Sequence, residues 1–598
     1  MQSYLSKLNE DQREAVINFV GPSFVLACPG AGKTLTIAYR VAYMIDCGVS
    51  PNSIMLFTFT KKAANELKER IERIIGKSSK YVMVGTYHSV CCRLLRKYCN
   101  CLGYDNNFSI YDDEDSKKVL KKIIQDEYNI DANMVYNKIG YYKQNMIDYN
   151  DAIDIAETNI DKKIANYYKQ YQIILKKNNA MDFNDLIFNM VKILENNYSI
   201  YKIITKQFKY IISDESQDSN NIDFQLVKLL GGDSQNICFV ADDDQSIYGF
   251  RGANFETMMN LLNSNNFKEY QLKQNYRSTA TIVNASRSLI EYNKNKKDKT
   301  IFTDNKEGAK IIYYREYNAI AEANRVLKIV KALNKKNKIP YDKIAILYRV
   351  NSASRVLEEA FIKNNIPYRI INGTNFYDRM EIKDIISYLK FALNPYDVIA
   401  FKRIINTPKR KIGEKSLNKI LSIAQNNNCG TIDNRINLLE KCKEVKLSAV
   451  AQKNLNNFIE IFDNINKNKY NNVSDLIQYI IDSTGYINYL ETCDNSEERI
   501  ANITELKEIA SHYDTLDLFF ESVLIDNYND NENNNVDNKK VNLLTIHSSK
   551  GLEYDAVIII EANEGVIPHS KSISSSEIEE ERRLFYVAMT RAKKYLFI

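Results

Sequence analysis

The sequence predicts an α/β protein with parallel sheets that are covered by helices on both faces. Short apolar runs typical of buried strands recur along the 598 residues, and helix-like spacing of apolar residues follows most of them. A glycine-rich turn also separates one such run from an amphipathic segment, which predicts a strand–turn–helix unit. The strand candidates are residues 24–26, 54–59, 209–213, 237–241, 344–348, 541–546 and 556–561.

Two stretches depart from this alternation, at about residues 106–187 and 381–530. They are charged, rich in asparagine and helical in period, with few strand signals, so they are predicted to be helical insertions. The run IDNYNDNENNNVDNKK at 525–540 is polar and of low complexity, which predicts a flexible boundary. Residues 293–300 are predicted to be a second polar bridge.

Length and composition limit the class of protein. A chain of 598 residues predicts three or four domains. The formal net charge of +6 is small for this length, so a nucleic-acid partner would require a local basic groove. No uncharged apolar run approaches the roughly 18 residues of a membrane span, and the first residues are polar rather than a signal peptide. We therefore expect a soluble, cytoplasmic protein.

The cysteines are too sparse for a disulfide framework. There are ten in the chain, they form no C-x-x-C pairs, and reduced thiols are expected. Cys91, Cys92, Cys99 and Cys101 lie close together in sequence, as the ligands of a metal or iron–sulfur site would. Adjacent residues such as Cys91 and Cys92 point away from each other on a helix, however, so metal binding is disfavoured.

A candidate phosphate-binding loop follows the first strand candidate. The pattern G-x-x-x-x-G-K-[ST] is matched except at its first position, where alanine replaces glycine. Gly30 and Gly32 allow backbone angles at which successive N–H groups converge on phosphate oxygens. Lys33 would contact the terminal phosphates, and the Thr34 hydroxyl would hold magnesium. A glycine-rich turn without a ligand is the alternative. The loop positions are Ala27, Cys28, Pro29, Gly30, Ala31, Gly32, Lys33 and Thr34.

An acidic pair provides the second site that such a loop needs. Asp214 and Glu215 directly follow the strand candidate at 209–213, so the carboxyl edge of a parallel sheet would carry them towards the loop. In this interpretation Asp214 holds magnesium through water, and Glu215 is the general base that orients the attacking water. An N-cap for the next helix explains an acidic pair at a strand end equally well.

Five further blocks of sequence carry a family resemblance. Together with the loop and the acidic pair, they resemble the UvrD/Rep/PcrA-type superfamily 1 DNA helicases, in the expected order along the chain. The resemblance implies two RecA-like motor domains, ATP and Mg²⁺ as nucleotide and cofactor, and DNA as partner. The blocks are LNEDQREAV (8–16), VADDDQSIYGFRGA (240–253), LKQNYRST (272–279), HSSKGLEYD (547–555) and EEERRLFYVAMTRAKK (579–594).

The resemblance also implies contacts with ATP. Gln12 would read the adenine edge, and Tyr276 would stack on adenine. Gln245 would sense the γ-phosphate and couple it to the DNA, and Glu553 would be a further contact in the nucleotide site.

Two arginines complete the implied catalytic set. Arg277 and Arg591 would neutralise charge on the transferred phosphoryl group, a contribution of roughly 10³ to 10⁵ in rate in related nucleotidases. Because Arg591 lies near the opposite end of the chain from Lys33, the site must form between two separately folded sheets. Hydrolysis would then depend on closure of the cleft between them.

Contacts with single-stranded DNA are implied by the same resemblance. Aromatic faces with backbone contacts grip a strand without sequence preference. The family usually has tryptophan where Phe250 stands, which predicts weaker base stacking, and tyrosine where Ser216 stands. Each of the implied contact residues could instead pack in the core, and for Phe59 considered by itself this is the simpler interpretation. The implied contacts are Phe59, Thr86, His88, Tyr248, Phe250, Arg251 and His547.

Motif positions and the resemblance together predict four domains. Each of the two motor domains is interrupted by a mainly helical insertion. The predicted bounds are 1–105 and 188–278 for the first motor domain, 106–187 for its insertion, 279–380 and 541–598 for the second motor domain and 381–540 for its insertion.

The sequence therefore predicts an ATP-dependent helicase that moves on single-stranded DNA and unwinds duplex DNA, with the 3′ to 5′ polarity of the family. One alternative is a translocase that displaces proteins from DNA with little unwinding. Another is a non-catalytic DNA-binding scaffold, which is disfavoured because Lys33, Asp214, Glu215, Arg277 and Arg591 occur together. Accessory repair or replication proteins are candidate partners, although no residue pattern identifies them.

Overall fold

The computed structural model describes residues 4–124, 130–264, 266–371, 377, 379–425, 437–467, 470–492, 496–521 and 540–598. By their contacts these residues divide into two compact units. The first draws its described residues from 1–87, 201–373 and 529–598, and the second draws them from 88–200 and 374–528. Within the described ranges, the structure has no helix with the length and apolar character that a membrane crossing requires.

Every strand candidate of the sequence overlaps a strand of the structure. The strands are β1 (Ser23–Ala27), β2 (Ile54–Thr58), β3 (Met83–Thr86), β4 (Ser109–Tyr111), β5 (Ala180–Asp182), β6 (Tyr210–Ser213), β7 (Ile237–Ala241), β8 (Lys268–Leu272), β9 (Ile344–Tyr348), β10 (Tyr368–Ile370), β11 (Val541–Thr545), β12 (Tyr554–Ile559) and β13 (Ala592–Phe597).

The first unit contains two parallel sheets. Six strands lie in the order β3-β2-β6-β7-β1-β8, and five lie in the order β10-β11-β9-β12-β13. All pairings within them are parallel. The prediction of an α/β fold with parallel sheets is confirmed. Within these two sheets, the strands that sequence analysis missed, β3, β8, β10 and β13, are the four edge strands. Three of them, β8, β10 and β13, are only partly buried and therefore lack a continuous apolar run.

The helices are α1 (Glu10–Ile17), α2 (Lys33–Asp46), α3 (Lys61–Ile75), α4 (Tyr87–Tyr98), α5 (Asp113–Ile124), α6 (Ala132–Gln144), α7 (Tyr149–Asp154), α8 (Asn159–Lys177), α9 (Phe183–Asn196), α10 (Tyr198–Gln207), α11 (Asn221–Gly231), α12 (Phe255–Asn263), α13 (Ala280–Ile290), α14 (Ala319–Lys335), α15 (Ser354–Lys363), α16 (Met380–Leu393), α17 (Val398–Ile404), α18 (Glu414–Gln425), α19 (Leu438–Glu444), α20 (Ala449–Lys467), α21 (Val473–Thr484), α22 (Tyr486–Glu491), α23 (Ser496–Ala510), α24 (Leu516–Phe520) and α25 (Ser575–Thr590).

Helices cover both faces of the second sheet because its central strand is apolar on both sides. Ile344 and Ile346 of β9 pack into a cluster with side chains of α14 and α15. The alternate residues Ala345 and Leu347 pack into a different cluster with side chains of α13 and α25. Side chains of a strand alternate between the faces of a sheet, so one apolar run supplies two cores.

The second unit is mainly helical and draws on both predicted insertions. The short strands β4 and β5 pair within it, which sequence analysis did not predict. Within this unit Asn394 donates to the Ser109 hydroxyl at 2.8 Å, and Lys390 lies 2.9 Å from Asp115. The two helical stretches thus pack on each other, and the predicted domain bounds stay a prediction. The polar run at 525–540 lies outside the described residues, except for Lys540.

One buried carboxyl group in the first unit is poorly compensated. Asp223 lies in the first turn of α11 and forms a capping box with Asn220, whose backbone N–H donates to Asp223 Oδ2 at 3.0 Å. The other carboxyl oxygen, Oδ1, has no hydrogen-bond partner. Burial raises the pKa of Asp223 to about 7. Because this is above the ordinary value of about 3.9, the charged group opposes folding, and the loss of stability develops as pH rises from about 4 to 7.

Replacing Asp223 by asparagine removes the buried charge but keeps an oxygen that can accept from Asn220. We expect the Asp223→Asn variant to gain about 1 to 4 kcal/mol of unfolding free energy relative to the parent protein between pH 5 and pH 8. Denaturant unfolding at the two pH values measures this gain. The control is Asp233→Asn, because the Asp233 side chain is 85% exposed. A pH-independent difference for Asp223→Asn would contradict the assignment.

Candidate nucleotide and nucleic-acid site

A tight turn joins β1 to α2 in the first unit. Gly30 and Gly32 have φ values of 69° and 78°, in the left-handed region that favours glycine. A Cβ atom at Gly30 would lie 2.7 Å from the Cβ of Arg277. Both backbone conformation and space therefore require glycine at position 30, and the turn lies directly against Arg277.

The alanine at the first position of the loop pattern is explained by its place in the sheet. Ala27 is the last residue of β1, is fully buried and pairs with Leu272 of β8. Extended backbone is open to any residue, so this position needs no glycine. The departure from the usual pattern leaves the turn itself unchanged.

Side chains from neighbouring segments hold the carbonyl groups of the turn. Gln12 Nε2 donates to the Ala31 carbonyl at 2.9 Å, and Asn275 Nδ2 donates to the Pro29 carbonyl at 2.6 Å. The side-chain oxygen of Gln12 also accepts from the backbone N–H of Asn9 at 3.2 Å. These bonds fix the turn next to the N-terminus of α2, the end of a helix that favours anions.

The carboxyl edge of the first sheet brings the acidic pair to the turn. Asp214 directly follows β6, and Lys33 Nζ lies 2.9 Å from Glu215 Oε2. Glu215 has a φ of 52°, which is uncommon for a residue other than glycine. Such backbone strain often marks functional positions, because the surrounding structure must hold it in place.

The two carboxyl groups have opposite electrostatic properties. Burial, followed by the charge of Glu215, raises the pKa of Asp214 to about 7. For Glu215, burial alone would raise the pKa, but the positive charges of Lys33 and Lys550 lower it to about 2. The charge of Lys33 therefore compensates the buried Asp214 carboxyl group only in part, and carboxylate and hydroxyl oxygens are the ligands that Mg²⁺ prefers. With the Thr34 hydroxyl at the start of α2, the donor set fits a magnesium ion.

Two arginines link the first sheet to elements of the second. Arg277 Nε lies 2.8 Å from Glu553 Oε2, and its Nη1 donates to the Thr590 carbonyl at 3.2 Å. Arg591 Nη2 donates to Gln245 Oε1 at 2.8 Å. The structure thus brings Arg277, Glu553, Arg591 and Gln245 together from both sheets.

Arg591 is almost completely buried, with 2% of its surface exposed. Its guanidinium donates to the Val587 and Leu552 carbonyls as well as to Gln245. Burial, followed by the charge of Arg277, lowers the pKa of Arg591 to about 9. The group remains charged at neutral pH, so its charge is available inside the protein.

Gln217 is a site residue that sequence analysis missed. Its Nε2 donates to Glu215, and its Oε1 accepts from the backbone N–H of Asp242 at 3.0 Å. Asp242 Oδ2 in turn accepts from Gln245 Nε2 at 2.6 Å. One fully buried amide therefore connects the acidic pair to the loop that carries Gln245. The only signal in the sequence was its place three positions after Asp214.

Tyr276 presents its ring to solvent at the edge of this site. The residue is 48% exposed. Its hydroxyl donates to Gln274 Oε1 at 2.7 Å and accepts from Asn9 Nδ2 at 2.8 Å. A tethered hydroxyl with an accessible ring face suits stacking on a planar base.

Aromatic side chains form a second surface in the first unit, which we call the aromatic surface: Phe59, Tyr248, Phe250 and His547. The rings of Phe59 and Tyr248 stack with centroids 5.2 Å apart, and His547 meets Phe250 edge-on at 5.4 Å. The Tyr248 hydroxyl donates to the His547 carbonyl at 3.2 Å. Arg251 lies over the Tyr248 ring at 5.2 Å, and Phe250 is 68% exposed. Phe59 is therefore part of an aromatic cluster and only half-buried.

Two predicted DNA contacts lie outside the aromatic surface as defined here. Thr86 ends β3 and is buried, with 1% of its surface exposed. His88 belongs to the second unit, where its ring meets Phe183 edge-on at 6.2 Å. Burial lowers the pKa of His88 to about 4, so the side chain is neutral at pH 7. A role for either residue in DNA binding stays a prediction.

Two buried lysines were also missed by sequence analysis. Lys550 Nζ donates to Asp218 Oδ1 and to the Gln245 carbonyl, both at 2.7 Å. Lys299, in the segment predicted to be a polar bridge, is buried against Asp242 and its neighbours. Single lysines in a lysine-rich sequence carry no local signal, since their burial depends on contacts with distant segments.

Comparison with known protein families agrees with this geometry. The model of the UvrD/REP helicase N-terminal domain matches residues 8–268, and that of the UvrD-like helicase C-terminal domain matches residues 270–598. The chain belongs to the UvrD-like helicase family. The resemblance in its sequence blocks is thereby confirmed, and the two domain models together cover both sheets of this helicase.

Curated relatives match this helicase along almost its whole length. The ATP-dependent DNA helicase PcrA of Staphylococcus epidermidis is 37% identical over 618 residues, which cover 100% of this chain and 84% of the relative. The protein of the same name from Bacillus subtilis is 36% identical over 614 residues, which cover 99% of this chain and 82% of the relative. PcrA of Staphylococcus aureus is also 36% identical, with 100% and 84% covered.

Replacing Gly30 by alanine should weaken nucleotide binding. The new Cβ would press on Arg277 in a backbone conformation that alanine avoids, at a cost of roughly 1–2 kcal/mol or about tenfold in affinity. Equilibrium binding of a non-hydrolysable ATP analogue measures the change. The control is Gly48→Ala, since Gly48 has a φ of 92° but no atom within 4 Å of the added Cβ. Unchanged affinity of Gly30→Ala would contradict the loop assignment.

Proposed function

We propose that this ATP-dependent DNA helicase hydrolyses ATP at the edge where its two parallel sheets meet, moves along single-stranded DNA from 3′ to 5′ and unwinds the duplex ahead. The observation that carries the proposal is the pairing of groups from both sheets: Arg591 with Gln245, and Arg277 with Glu553. Relative movement of the sheets would make or break these contacts, so the state of the nucleotide is coupled to the positions of the sheets.

The turn between β1 and α2 would hold the phosphates of ATP. Its two glycines and the start of α2 offer N–H groups, and Lys33 offers an ammonium at the same edge. Thr34 and Asp214 would hold Mg²⁺, which supplies positive charge that offsets the developing charge on the phosphates. We further propose that Tyr276 stacks on adenine and that Gln12 reads its edge.

Lys33 and Glu215 would exchange partners when ATP binds. In the structure Lys33 is the ion-pair partner of Glu215, and this contact helps to keep the pKa of Glu215 at about 2. A carboxylate with so low a pKa is a weak base. Contacts between Lys33 and the phosphates would draw the ammonium away, raise the basicity of Glu215 and allow it to accept a proton from the attacking water.

The two arginines would supply positive charge from the side opposite Lys33. Arg591 is already charged and desolvated, so it needs little reorganisation to stabilise a transferred phosphoryl group. Gln245 holds the Arg591 guanidinium at 2.8 Å and is therefore placed to respond to the γ-phosphate. Charge stabilisation by arginine contributes roughly 10³ to 10⁵ in rate in related nucleotidases.

The aromatic surface would bind the single strand. Base stacking on such rings contributes about 1–3 kcal/mol per base without sequence preference. Burial, followed by the positive charges of Arg349, Arg251 and Lys550, lowers the pKa of His547 to about 3. His547 is therefore neutral at pH 7 and would contribute a ring face and a hydrogen-bonding group, while Arg251 would contact the phosphates.

One short loop would couple the two sites. Gln245, on the nucleotide side, and Tyr248, on the aromatic surface, are three positions apart in the loop that follows β7. Tyr248 also donates to the His547 carbonyl from the second sheet. A shift of Gln245 caused by the γ-phosphate would therefore be transmitted to the DNA-binding rings through a few covalent bonds.

The cellular setting is part of the proposal. Because DNA is the substrate, we place this helicase in the compartment that holds DNA, which is the cytoplasm in bacteria. Accessory proteins of repair or replication are the proposed partners.

Replacing Lys33 by alanine should abolish hydrolysis stimulated by single-stranded DNA. The variant loses the positive charge at the terminal phosphates, and a fall of at least about 10³-fold in kcat is expected. Phosphate release with and without DNA measures the rate. The matched control is Lys335→Ala at the exposed end of α14, which should hydrolyse ATP at the parent rate. Normal turnover by Lys33→Ala would overturn the assignment of the loop.

Polarity is tested with partial duplexes that carry either a 3′ or a 5′ single-stranded overhang. We expect ATP-dependent strand displacement from the 3′ overhang, with at least about tenfold preference, and none with Lys33→Ala. Displacement only from the 5′ overhang would contradict the proposed direction. Removal of a bound protein block without strand displacement would instead support a translocase that unwinds poorly.

A further inference from the structure

Three consecutive aspartates after β7 surround one buried lysine. Asp242, Asp243 and Asp244 are each no more than 3% exposed. Lys299 Nζ lies 3.0 Å from Asp242 Oδ1 and 2.9 Å from Asp244 Oδ2, and it also contacts Asp243. Carboxylate oxygens of the three aspartates lie within 4.8 Å of one another, close enough to hold a metal ion. The ammonium of Lys299 contacts all three carboxylates and so occupies the centre of this cluster and offsets part of its negative charge.

Burial of this cluster is not by itself a sign that it stabilises the fold. Taking charges out of water costs several kcal/mol per ion, and apolar replacement of a buried ion pair is often neutral or stabilising. The side chain of Lys299 is only 3% exposed, so it has almost no surface to offer ATP or DNA in this conformation. Lys299 could therefore affect ATP hydrolysis through the residues that its aspartate partners contact.

Asp242 connects the cluster to the nucleotide site. Its Oδ1 contacts Lys299, and its Oδ2 accepts from Gln245 Nε2 at 2.6 Å. Gln245 Oε1 then accepts from Arg591 at 2.8 Å. Lys299, Asp242, Gln245 and Arg591 therefore form a continuous chain of hydrogen bonds that ends on a proposed catalytic arginine.

The orientation of the Gln245 amide depends on the position of the Asp242 carboxylate. A carboxylate accepts hydrogen bonds, so Asp242 binds the NH₂ end of the amide and turns the oxygen towards Arg591. Lys299 Nζ lies 3.0 Å from the other carboxylate oxygen, Asp242 Oδ1, and so fixes the direction in which Oδ2 faces Gln245.

We propose that Lys299 is a positioning residue for ATP hydrolysis: its ion pair with Asp242 fixes that carboxylate and thereby holds the Gln245 oxygen on Arg591. This inference rests on the proposed function of Gln245 and Arg591 in responding to the γ-phosphate. Lys299 lies on the segment that connects α13 to α14. This connection between the two sheets therefore also helps to position the loop after β7.

The first measurement is steady-state ATP hydrolysis by the full chain at saturating single-stranded DNA. Lys299→Met should lower kcat by about 10- to 100-fold, as loss of an orienting partner commonly does, with KM for ATP within about threefold. Lys299→Arg, which keeps the charge, should recover part of the rate. The control is Lys297→Met on the same segment. The ammonium of Lys297 lies 3.4 Å from Glu269 rather than against the three aspartates, so this variant should hydrolyse ATP at the parent rate.

A double-mutant cycle separates positioning from general support of the fold. If Lys299 acts through Gln245, the double variant Lys299→Met, Gln245→Ala should have a kcat less than about twofold below that of Gln245→Ala alone, because the interaction is already lost. A further 10-fold or larger loss in the Gln245→Ala background, or an unchanged kcat for Lys299→Met alone, would overturn the inference. If Lys299→Met does not fold, as judged by its thermal transition, Lys299→Gln, which loses the charge but keeps a hydrogen-bond donor, carries the same cycle and is judged in the same way.

The cycle also distinguishes this inference from the proposed function. Unchanged kcat for Gln245→Ala alone would overturn the proposed role of Gln245, and the inference about Lys299 with it. If Gln245→Ala lowers kcat and Lys299→Met lowers it further by an independent factor, only the inference about Lys299 would be overturned, and Gln245 would keep its role.

Discussion

The hydrogen bond from Arg591 to Gln245 is the contact on which the organisation of the nucleotide site depends. It joins residues 346 positions apart, one in the loop after β7 of the first sheet and one directly before β13 of the second. The neighbouring links between Arg277 and Glu553 and between Lys550 and Asp218 also join the two sheets. All of these links use charged groups, so they respond to the charge of a nucleotide far more strongly than apolar packing would.

Charged groups of the site are paired with one another within the protein. Lys33 neutralises Glu215, Lys550 neutralises Asp218, and Lys299 contacts all three aspartates after β7. An unpaired buried charge would cost several kcal/mol, so each must have a partner when ATP is absent. In the proposed function, the charged phosphates of ATP would replace the internal partners of some of these groups.

The loop after β7 is where the proposed nucleotide and nucleic-acid functions meet. Asp242 and Gln245 face the nucleotide side, and Tyr248 and Phe250 belong to the aromatic surface. Gln217 and Lys299 hold the start of this loop from two directions. These contacts restrain the start of the loop, through which the proposed coupling between the two sites would run.

The sequence by itself determined the parallel α/β fold and the helicase family, and it predicted most of the residues for which chemical roles are proposed, because apolar period and motif spacing are local patterns. The tertiary structure alone decided which partners those residues have. Lys299 meets Asp242 across 57 positions, and Asn394 joins Ser109 across 285, with no local signal for either contact. Burial of a polar side chain depends on what the fold places around it, and therefore becomes visible only when distant segments are packed together.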